Sequence, residues 1–196
     1  CTDPNEPDTD SDGINDYDEV NNCIYGENDD ECTDPSDDDS DGDGLDDYVE
    51  INTHNTDPKD YDTDDDSLND GYEINTLESN PLNIDSDSDG LNDTWEWYRA
   101  TEGYTYSLID DDSDDDGTLD GDEDLDNDGL SNLAEIIVYF TSPLDQDSDG
   151  DTLFDGDEID PQNINKDGIN NQYNYVSDPT KKDSDDDLLS DLEEVI

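Results

Sequence analysis

The sequence predicts a mostly irregular fold: a linear array of acidic loops with short helical turns and no conventional hydrophobic core. Two properties of the 196-residue chain lead to this prediction. Only 27% of its residues are hydrophobic, and 66 Asp and Glu stand against 5 Lys and Arg, for a formal net charge of −61. Such a chain has too little apolar surface to offset the entropy of folding by burial alone. The third observation is a regular repeat of the acidic residues, which composition does not produce.

A twelve-residue motif recurs along the chain, and segment 85–96 shows it completely. Its sequence DSDSDGLNDTWE places carboxylates at positions 1, 3, 5, 9 and 12, glycine at position 6 and an apolar residue at position 7. This is the spacing of the EF-hand loop, in which alternate carboxylates, the backbone carbonyl of position 7 and a longer Glu surround a calcium ion. The motif therefore predicts an EF-hand-like calcium site.

Eight segments share this motif, and we number them loops 1 to 8: 8–19, 39–50, 62–73, 85–96, 112–123, 124–135, 147–158 and 183–194. A merely acidic tract would not keep this register, so we predict one continuous repeat array over 1–196. The predicted metal ligands, with position 7 contributing its carbonyl, are Asp8, Asp10, Asp12, Ile14, Asp16, Glu19, Asp39, Asp41, Asp43, Leu45, Asp47, Glu50, Asp62, Asp64, Asp66, Leu68, Asp70, Glu73, Asp85, Asp87, Asp89, Leu91, Asp93, Glu96, Asp112, Asp114, Asp116, Thr118, Asp120, Glu123, Asp124, Asp126, Asp128, Leu130, Glu135, Asp147, Asp149, Asp151, Leu153, Asp155, Glu158, Asp183, Asp185, Asp187, Leu189, Asp191 and Glu194.

Some loops depart from the pattern. Ser67, Thr152 and Leu188 replace the glycine of position 6, so their loops need either a strained positive φ or a different curl. Loop 6 has Asn132 at position 9 and so carries four carboxylates instead of five. A ninth, degenerate loop at 163–174 substitutes amides for carboxylates and ends at Asn174, which predicts a weak site or a metal-free one.

The segments between the loops carry a turn signal. A proline stands four residues before the loop start, after Thr-Asp, Ser-Asn, Thr-Ser or Ser-Asp, and it stops any preceding helix. An apolar residue follows most closing glutamates and is suited to cover the neighbouring unit after a helix of about two turns at most. The prolines are Pro4, Pro35, Pro58, Pro81, Pro143 and Pro179, and the apolar residues are Val20, Ile51, Ile74, Trp97, Ile136, Ile159 and Val195.

Electrostatics requires a cation in these loops. Five carboxylates make ten like-charge pairs, and each pair costs about 1 kcal/mol at 4 Å in water, so a metal-free loop should open. Calcium suits a twelve-residue loop with a terminal Glu better than magnesium, which demands near-ideal octahedral geometry. We predict eight or more calcium ions per chain. Donors to a second ion in each unit are expected among Asp3, Glu6, Asp34, Asp37, Asp57, Asp60, Asp110, Asp122, Asp145 and Asp178.

The run 80–96, NPLNIDSDSDGLNDTWE, resembles bacterial thrombospondin type 3 repeats in its aspartate ladder and in the phase of its proline. The resemblance covers most of the chain. It implies a calcium-wrapped rod with little regular secondary structure, used as spacer, stalk or adhesive segment in secreted and cell-surface proteins, and no catalytic activity. Animal members have cysteines in most repeats, whereas this chain has three. Dockerins, which pair two similar loops to bind a cohesin, are less similar because this chain has eight loops with short spacers.

The three cysteines favour an oxidising compartment. Cys23 and Cys32 flank an insertion and predict a disulfide that closes a hairpin, with a thiolate metal site as the alternative. Cys1 repeats the phase of Cys32, which suggests a partner upstream or in another copy, within a longer array. We therefore expect an extracellular or cell-surface location. The acidic surface excludes nucleic acid as a partner, and no apolar run is long enough for membrane insertion.

Three function classes remain open. The first is a non-enzymatic calcium-rigidified rod, stalk or fibre segment whose partners are other copies or repeats of the same protein. The second is a binding module, either an adhesin or a dockerin-like piece, with glycans as a further partner class. The third is a calcium buffer. The lone His54 carries no catalytic constellation. The aromatic patch around Trp95 either binds a sugar or covers an ion loop, and segment 133–140 forms either a local core or a contact with a neighbouring chain.

Overall fold

The computed structural model describes residues 6–21, 32–159 and 176–195. Within these ranges there are no strands, and the regular structure is limited to short helical segments, as the sequence predicts. The α-helical segments are Asp16–Asn21, Asp47–Val49, Asp70–Tyr72, Asp93–Glu102, Asn132–Ala134, Asp155–Ile159 and Asp191–Val195. Three π-helical turns, Glu50–His54, Glu73–Leu77 and Glu135–Tyr139, continue α-helical turns, and Asp120–Asp122 forms a 3-10 turn.

The chain forms two compact units. Unit 1 contains the described residues up to Ser88 together with Asn92–Asp110, and unit 2 contains Asp89–Leu91 together with the described residues from Asp111 onward. Loops 1 to 3 therefore lie in unit 1 and loops 5 to 8 in unit 2. Loop 4 contributes residues to both units.

Each helical segment begins at position 9 of a loop, and in loops 3, 4 and 6 the side chain of position 8 caps it. Asn69 and Asn92 have extended backbones and accept the backbone N–H of Tyr72 at 2.6 Å and of Trp95 at 2.8 Å. Ser131 caps loop 6 in the same way. The helical turns are short because the chain soon enters the left-handed region, at Asn55, Glu78 and Phe140 after the π-helical turns.

Five of the eight loops bury one apolar residue, among buried carboxylates, whereas Leu130 of loop 6 is half-buried and Leu189 of loop 8 is exposed. The buried hydrophobic residues are Ile14, Leu45, Leu68, Leu91 and Leu153 at loop position 7, together with Tyr106 and Leu108. Most of the largest fully buried side chains are instead acidic. Among the apolar residues that follow the closing glutamates, Val20 is exposed and Ile51, Ile74, Trp97, Ile136 and Ile159 are half-buried. Val195 lies at the edge of the described residues, and its side chain is not among those described.

The local-core alternative for segment 133–140 is wrong. Ile137, Val138 and Phe140 are 57%, 60% and 76% exposed. The physical reason is that this helical turn buries only the side on which Glu135 closes loop 6, so that its remaining apolar side chains face solvent.

Candidate metal centres

Each loop curls around its own aspartates through backbone hydrogen bonds. In loop 2, Asp39 Oδ2 accepts the N–H of Gly44 at 3.1 Å, and Asp41 Oδ1 accepts the N–H of Asp43 at 3.1 Å. Asp43 Oδ1 in turn accepts the N–H of Leu45 at 2.7 Å. The second oxygen of Asp41 is buried without a hydrogen-bond partner, whereas the second oxygen of Asp43 accepts the N–H of Gly71 in the next loop at 2.6 Å.

The tight curl requires two left-handed residues in each loop, at positions 4 and 6. Five loops have glycine at position 6, and the other three have Ser67, Thr152 and Leu188, with φ of 82°, 85° and 85°. These three substitutions therefore produce a strained positive φ and not a different curl. Position 4 is left-handed in all eight loops, at Ser11, Gly42, Asp65, Ser88, Asp115, Asn127, Gly150 and Asp186.

The curl brings together the carboxylates that the sequence assigns to one ion. Carboxylate oxygens of the first three aspartates lie within 4.8 Å of one another in loops 1, 2 and 3. These groups are Asp8, Asp10 and Asp12; Asp39, Asp41 and Asp43; and Asp62, Asp64 and Asp66.

Buried carboxylate oxygens without a hydrogen-bond partner recur at the same loop positions in the part of the chain that the structure describes. Leaving such an oxygen unpaired costs several kcal/mol unless a cation neutralises it. A cation bound in each of these loops could neutralise these oxygens. The atoms are Oδ2 of Asp10, Asp41, Asp64, Asp126 and Asp149 at position 3, Oδ2 of Asp12 and Asp66 at position 5, and Oε2 of Glu50, Glu73, Glu135 and Glu158 at position 12.

The closing glutamates of loops 2, 3, 6 and 7 have strongly raised pKa values. Glu50, Glu73 and Glu135 are fully buried. Burial, reinforced by the charge of Asp41, raises the pKa of Glu50 to about 9. Burial likewise raises the pKa of Glu73 to about 8 and that of Glu135 to about 8, with the loop aspartates adding to the effect. Without a cation these carboxyls hold protons at neutral pH, because neighbouring negative charge and low polarity both disfavour ionisation.

The donor set fits a hard divalent cation. Every side-chain donor at the predicted ligand positions is a carboxylate oxygen, and none of these positions has a histidine nitrogen or a cysteine thiolate. Position 7 adds a backbone carbonyl to this set. Calcium takes roughly six to eight oxygens in flexible geometry, which these loops can provide, whereas zinc prefers nitrogen and sulfur.

The position-9 aspartate is held in a way that the sequence analysis did not anticipate. In loop 2, Asp47 Oδ1 accepts the N–H of Ser40 at 2.8 Å, and Asp47 Oδ2 accepts its hydroxyl at 2.7 Å. The sequence signal was present, because position 2 is Thr9, Ser40, Thr63, Ser86, Ser113, Ser148 or Ser184. Loop 6 has Leu125 there, and it is also the loop with Asn132 at position 9, whose Oδ1 accepts the Leu125 N–H at 3.2 Å.

A second kind of acidic cluster joins consecutive loops. Carboxylate oxygens of Asp43 and Glu50 from loop 2 and of Asp70 from loop 3 lie within 4.8 Å of one another, and all three residues are buried. The expected donors to a second ion are placed differently: the acids two residues before each loop, Glu6, Asp37, Asp60, Asp110, Asp122 and Asp145, are exposed. Asp3 lies outside the described residues. Asp34 and Asp178 are occupied as acceptors within the proline turns.

Loops 5 and 8 are more open than the others. Asp114 and Asp116 of loop 5 and Asp185 and Asp187 of loop 8 are exposed. Loop 5 has no helical turn after its closing glutamate, because Glu123 is extended and leads directly into loop 6. The degenerate loop at 163–174 lies outside the described residues.

Cys32 is disulfide-bonded, which rules out a thiolate metal site at this residue. Cys1 and Cys23 lie outside the described residues.

The aromatic patch packs on itself. The rings of Trp95 and Tyr106 meet edge to face at 5.1 Å, and the guanidinium of Arg99 lies 5.5 Å from the Trp95 ring centre and 5.7 Å from that of Tyr98. The Trp95 ring is thus already in contact with two side chains. This arrangement favours the covering role over a sugar platform.

Comparisons with known proteins give little further information. The chain matches no family model, and no curated protein matches it. Part of the chain is similar to a solved structure described as "Biofilm associated protein - B domain", with 40% sequence identity over 23% of this chain and 11% of that chain, and a TM-score of 0.23. The match thus spans about a tenth of that chain's length. In the described ranges, none of the helices has the length and apolar character needed to span a membrane.

Proposed function

We propose that this chain is a non-enzymatic, calcium-binding structural segment, a rod, stalk or fibre element of an extracellular or cell-surface protein. The observation that carries the proposal is the recurrence of buried, unpartnered carboxylate oxygens at positions 3 and 12 of successive loops. A fold with few buried apolar residues and many buried acids needs another source of cohesion. Divalent cations supply it by neutralising the carboxylates that burial has brought together.

Calcium is the ion that we assign. Each loop offers three or four short carboxylates, one carbonyl and a longer glutamate, and this all-oxygen set suits an ion that accepts irregular geometry. The cluster of Asp43, Glu50 and Asp70 offers a further site, so we expect more than eight ions per chain. The carboxylates that would serve as catalytic acids or bases elsewhere are committed to cations here, which is why we propose no enzymatic activity.

Chelation tests this proposal directly. The calcium-loaded chain is dialysed against EDTA, and its radius of gyration is followed by small-angle X-ray scattering while bound metal is counted by mass spectrometry. We expect more than eight calcium ions before dialysis and marked expansion after it, reversed by calcium and not by an equal concentration of magnesium. Unchanged dimensions after complete calcium loss would make the chain a calcium buffer and contradict the structural role.

A second candidate function is contact with another copy of the chain through the apolar residues of the Glu135–Tyr139 turn. The observation that favours it is the exposure of Ile137, Val138 and Phe140 close together in the sequence, because clustered exposed apolar side chains mark interaction surfaces. Sedimentation velocity in calcium checks this candidate. Self-association that is lost in Val138→Ser/Phe140→Ser supports it, and a monomer at all concentrations excludes it.

A further inference from the structure

A chain of hydrogen bonds runs from the closing glutamate of one loop to the position-9 aspartate of the next. Between loops 2 and 3, the hydroxyl of Thr56 donates to Glu50 Oε1 at 3.2 Å. The N–H of the next residue, Asp57, donates to Thr63 Oγ1 at 3.1 Å, and the Thr63 hydroxyl donates to Asp70 Oδ2 at 2.6 Å. Two hydroxyls and one peptide group thus connect acids that belong to different loops. We call this the hydroxyl relay.

The hydroxyl relay recurs at each described linker that contains a proline. Its first hydroxyl is always the Ser or Thr two residues before the proline, and its second is always the Ser or Thr at loop position 2. The glutamate contacts are Thr33 with Glu19, Ser79 with Glu73, Thr141 with Glu135 and Ser177 with Glu158. The contacts at the next loop are Ser40 with Asp47, Ser86 with Asp93, Ser148 with Asp155 and Ser184 with Asp191. The backbone N–H groups that donate to the position-2 hydroxyls are those of Asp34, Asn80, Ser142 and Asp178.

The junction of loops 5 and 6 shows what replaces the relay where there is no linker. Loop 6 starts directly after Glu123 and has Leu125 in place of the position-2 hydroxyl. Its Asn132 instead donates through Nδ2 to the carbonyl of Asp120, at 2.9 Å. Both hydroxyls are absent where the linker is absent, which indicates a function in joining loops. The position-2 hydroxyl also holds the position-9 aspartate within its own loop, as Ser113 holds Asp120 at 2.5 Å.

Both ends of the relay lie at the cation sites. Glu50 closes loop 2, and Asp70 lies beside Glu50 and Asp43 in the cluster between the loops. A cation that fixes Glu50 orients Thr56, the relay then orders Thr63, and Thr63 sets the rotamer of Asp70 through two hydrogen bonds. Loop 3 then loses less conformational entropy when it binds its own cation, so its cation affinity is higher. By linkage, a cation in loop 3 raises the affinity of loop 2 by the same factor.

We propose that the linker hydroxyl and the position-2 hydroxyl are positioning residues that couple cation binding in consecutive loops. The inference rests on the proposed function, because it concerns the same calcium sites. Its consequence is that loops joined by a proline linker fill together over a narrow range of calcium concentration. Loops without the relay fill independently.

A double-mutant cycle in the full chain tests the coupling. Calcium is titrated into the metal-free protein, and the backbone amide signals of Gly44 and Ser67, at position 6 of loops 2 and 3, report each loop's midpoint by NMR. Asp41→Asn weakens loop 2 directly. In the parent chain we expect it to raise the loop 3 midpoint by about fivefold or more, the lower range of measured couplings. In the Thr63→Val background the same change should raise it less than twofold.

The controls separate coupling from structural damage. Thr63→Ser keeps the hydroxyl, as five other loops do at this position, and should retain the parent coupling. Thr101→Val removes a hydroxyl that donates within a helix, to the Tyr98 carbonyl at 2.7 Å, and should also leave the coupling unchanged. If Thr63→Val does not give the parent amide spectrum at saturating calcium, Thr56→Val at the other end of the relay provides the same comparison.

The possible failures are distinguishable. An equal effect of Asp41→Asn in the parent and in Thr63→Val overturns the relay, and so does independent filling of loops 2 and 3 in the parent, while the proposed function stands in both cases. If neither amide signal moves with calcium, the proposed function fails and the relay fails with it.

Discussion

At the scale of single residues, the side chain at position 6 determines how much strain a loop carries. A left-handed backbone costs about 1–2 kcal/mol for an L-residue, whereas glycine adopts it freely. Thr152 is the most unfavourable of the three exceptions because its β-branch crowds the backbone at a φ of 85°. Its own N–H donates to Asp147 Oδ2 at 2.9 Å, so the loop holds this residue in place despite the strain.

We expect Thr152→Gly to stabilise unit 2 by about 1 kcal/mol, because the glycine keeps the backbone hydrogen bond and removes the strain. The measurement is the urea midpoint at saturating calcium. Thr118→Gly is the matched control, because Thr118 is not in the left-handed region and glycine relieves no strain there. Glycine only increases the conformational entropy of the unfolded chain, so this variant should be destabilised by about 0.5–1 kcal/mol. A lower midpoint for Thr152→Gly would show that the strain is not relieved in this way.

At the scale of elements, successive loops stack through positions 5 and 10. Asp43 Oδ2 accepts the N–H of Gly71 at 2.6 Å, and Asp128 Oδ2 and Asp151 Oδ2 accept the N–H of Gly156 and Leu192 at 3.0 and 2.8 Å. The first helical turns of loops 3, 7 and 8 are therefore each placed on an aspartate of the preceding loop. This contact orients the next loop without any large apolar interface.

Gly71→Ala should weaken this stacking. A Cβ at Gly71 would lie 2.4 Å from the carbonyl oxygen of Asp43, so the backbone of one loop must move, at a cost of about 1–3 kcal/mol. We expect a lower urea midpoint in calcium, together with a shifted amide signal for Leu45 in the preceding loop. Leu192→Ala is the control, because the equivalent position of loop 8 already accommodates a side chain. Equal effects of the two variants would contradict close packing at Gly71.

The sequence predicts what lies within one loop better than what lies between loops. The short helices and the lack of strands in the described residues were predicted correctly, and they depend on residues fewer than twelve positions apart. The left-handed residue at position 4 was not predicted. The hydrogen bonds of Ser40 to Asp47 could also have been predicted, since position 2 is Ser or Thr in every loop except loop 6. By contrast, the cluster of Asp43, Glu50 and Asp70 depends on how two loops stack, and no local pattern specifies this.

The same limit applies to the apolar residues. Segment 133–140 is the most apolar stretch of the chain, but its hydropathy does not say which of its faces meets another element. Only Glu135 and the residues around it contact the loop, and Phe140 is exposed in a left-handed conformation. A conventional core would have selected the apolar face. In this fold the buried face is the one that carries the acidic side chain, Glu135.

At the scale of the whole molecule, protons and calcium compete for the same buried acids. Burial raises the pKa of Glu50 and of Glu158 from 4.5 to about 9 in the folded, cation-free chain. A raised folded-state pKa contributes stability below the unfolded value of 4.5, and this contribution is lost as the pH rises through about 9. Without calcium the chain should therefore be compact in acid and should expand toward alkaline pH, which scattering at a series of pH values in EDTA would show.

Calcium should reverse this dependence and release protons as it binds. At pH 7 the closing glutamates of the cation-free chain are protonated, because the pKa values of Glu50, Glu73 and Glu135 lie between about 8 and 9. A carboxylate must be ionised to bind calcium, so each such loop gives up a proton and its calcium affinity rises with pH up to about 9. Proton release is measured by pH-stat during calcium addition to the unbuffered chain at pH 7. Glu50→Gln should release about one proton fewer than the parent, and Glu78→Gln, a change outside the loops, should not alter the count. Calcium binding without proton release would mean that the buried glutamates are already ionised in the cation-free chain, and that burial does not control their charge.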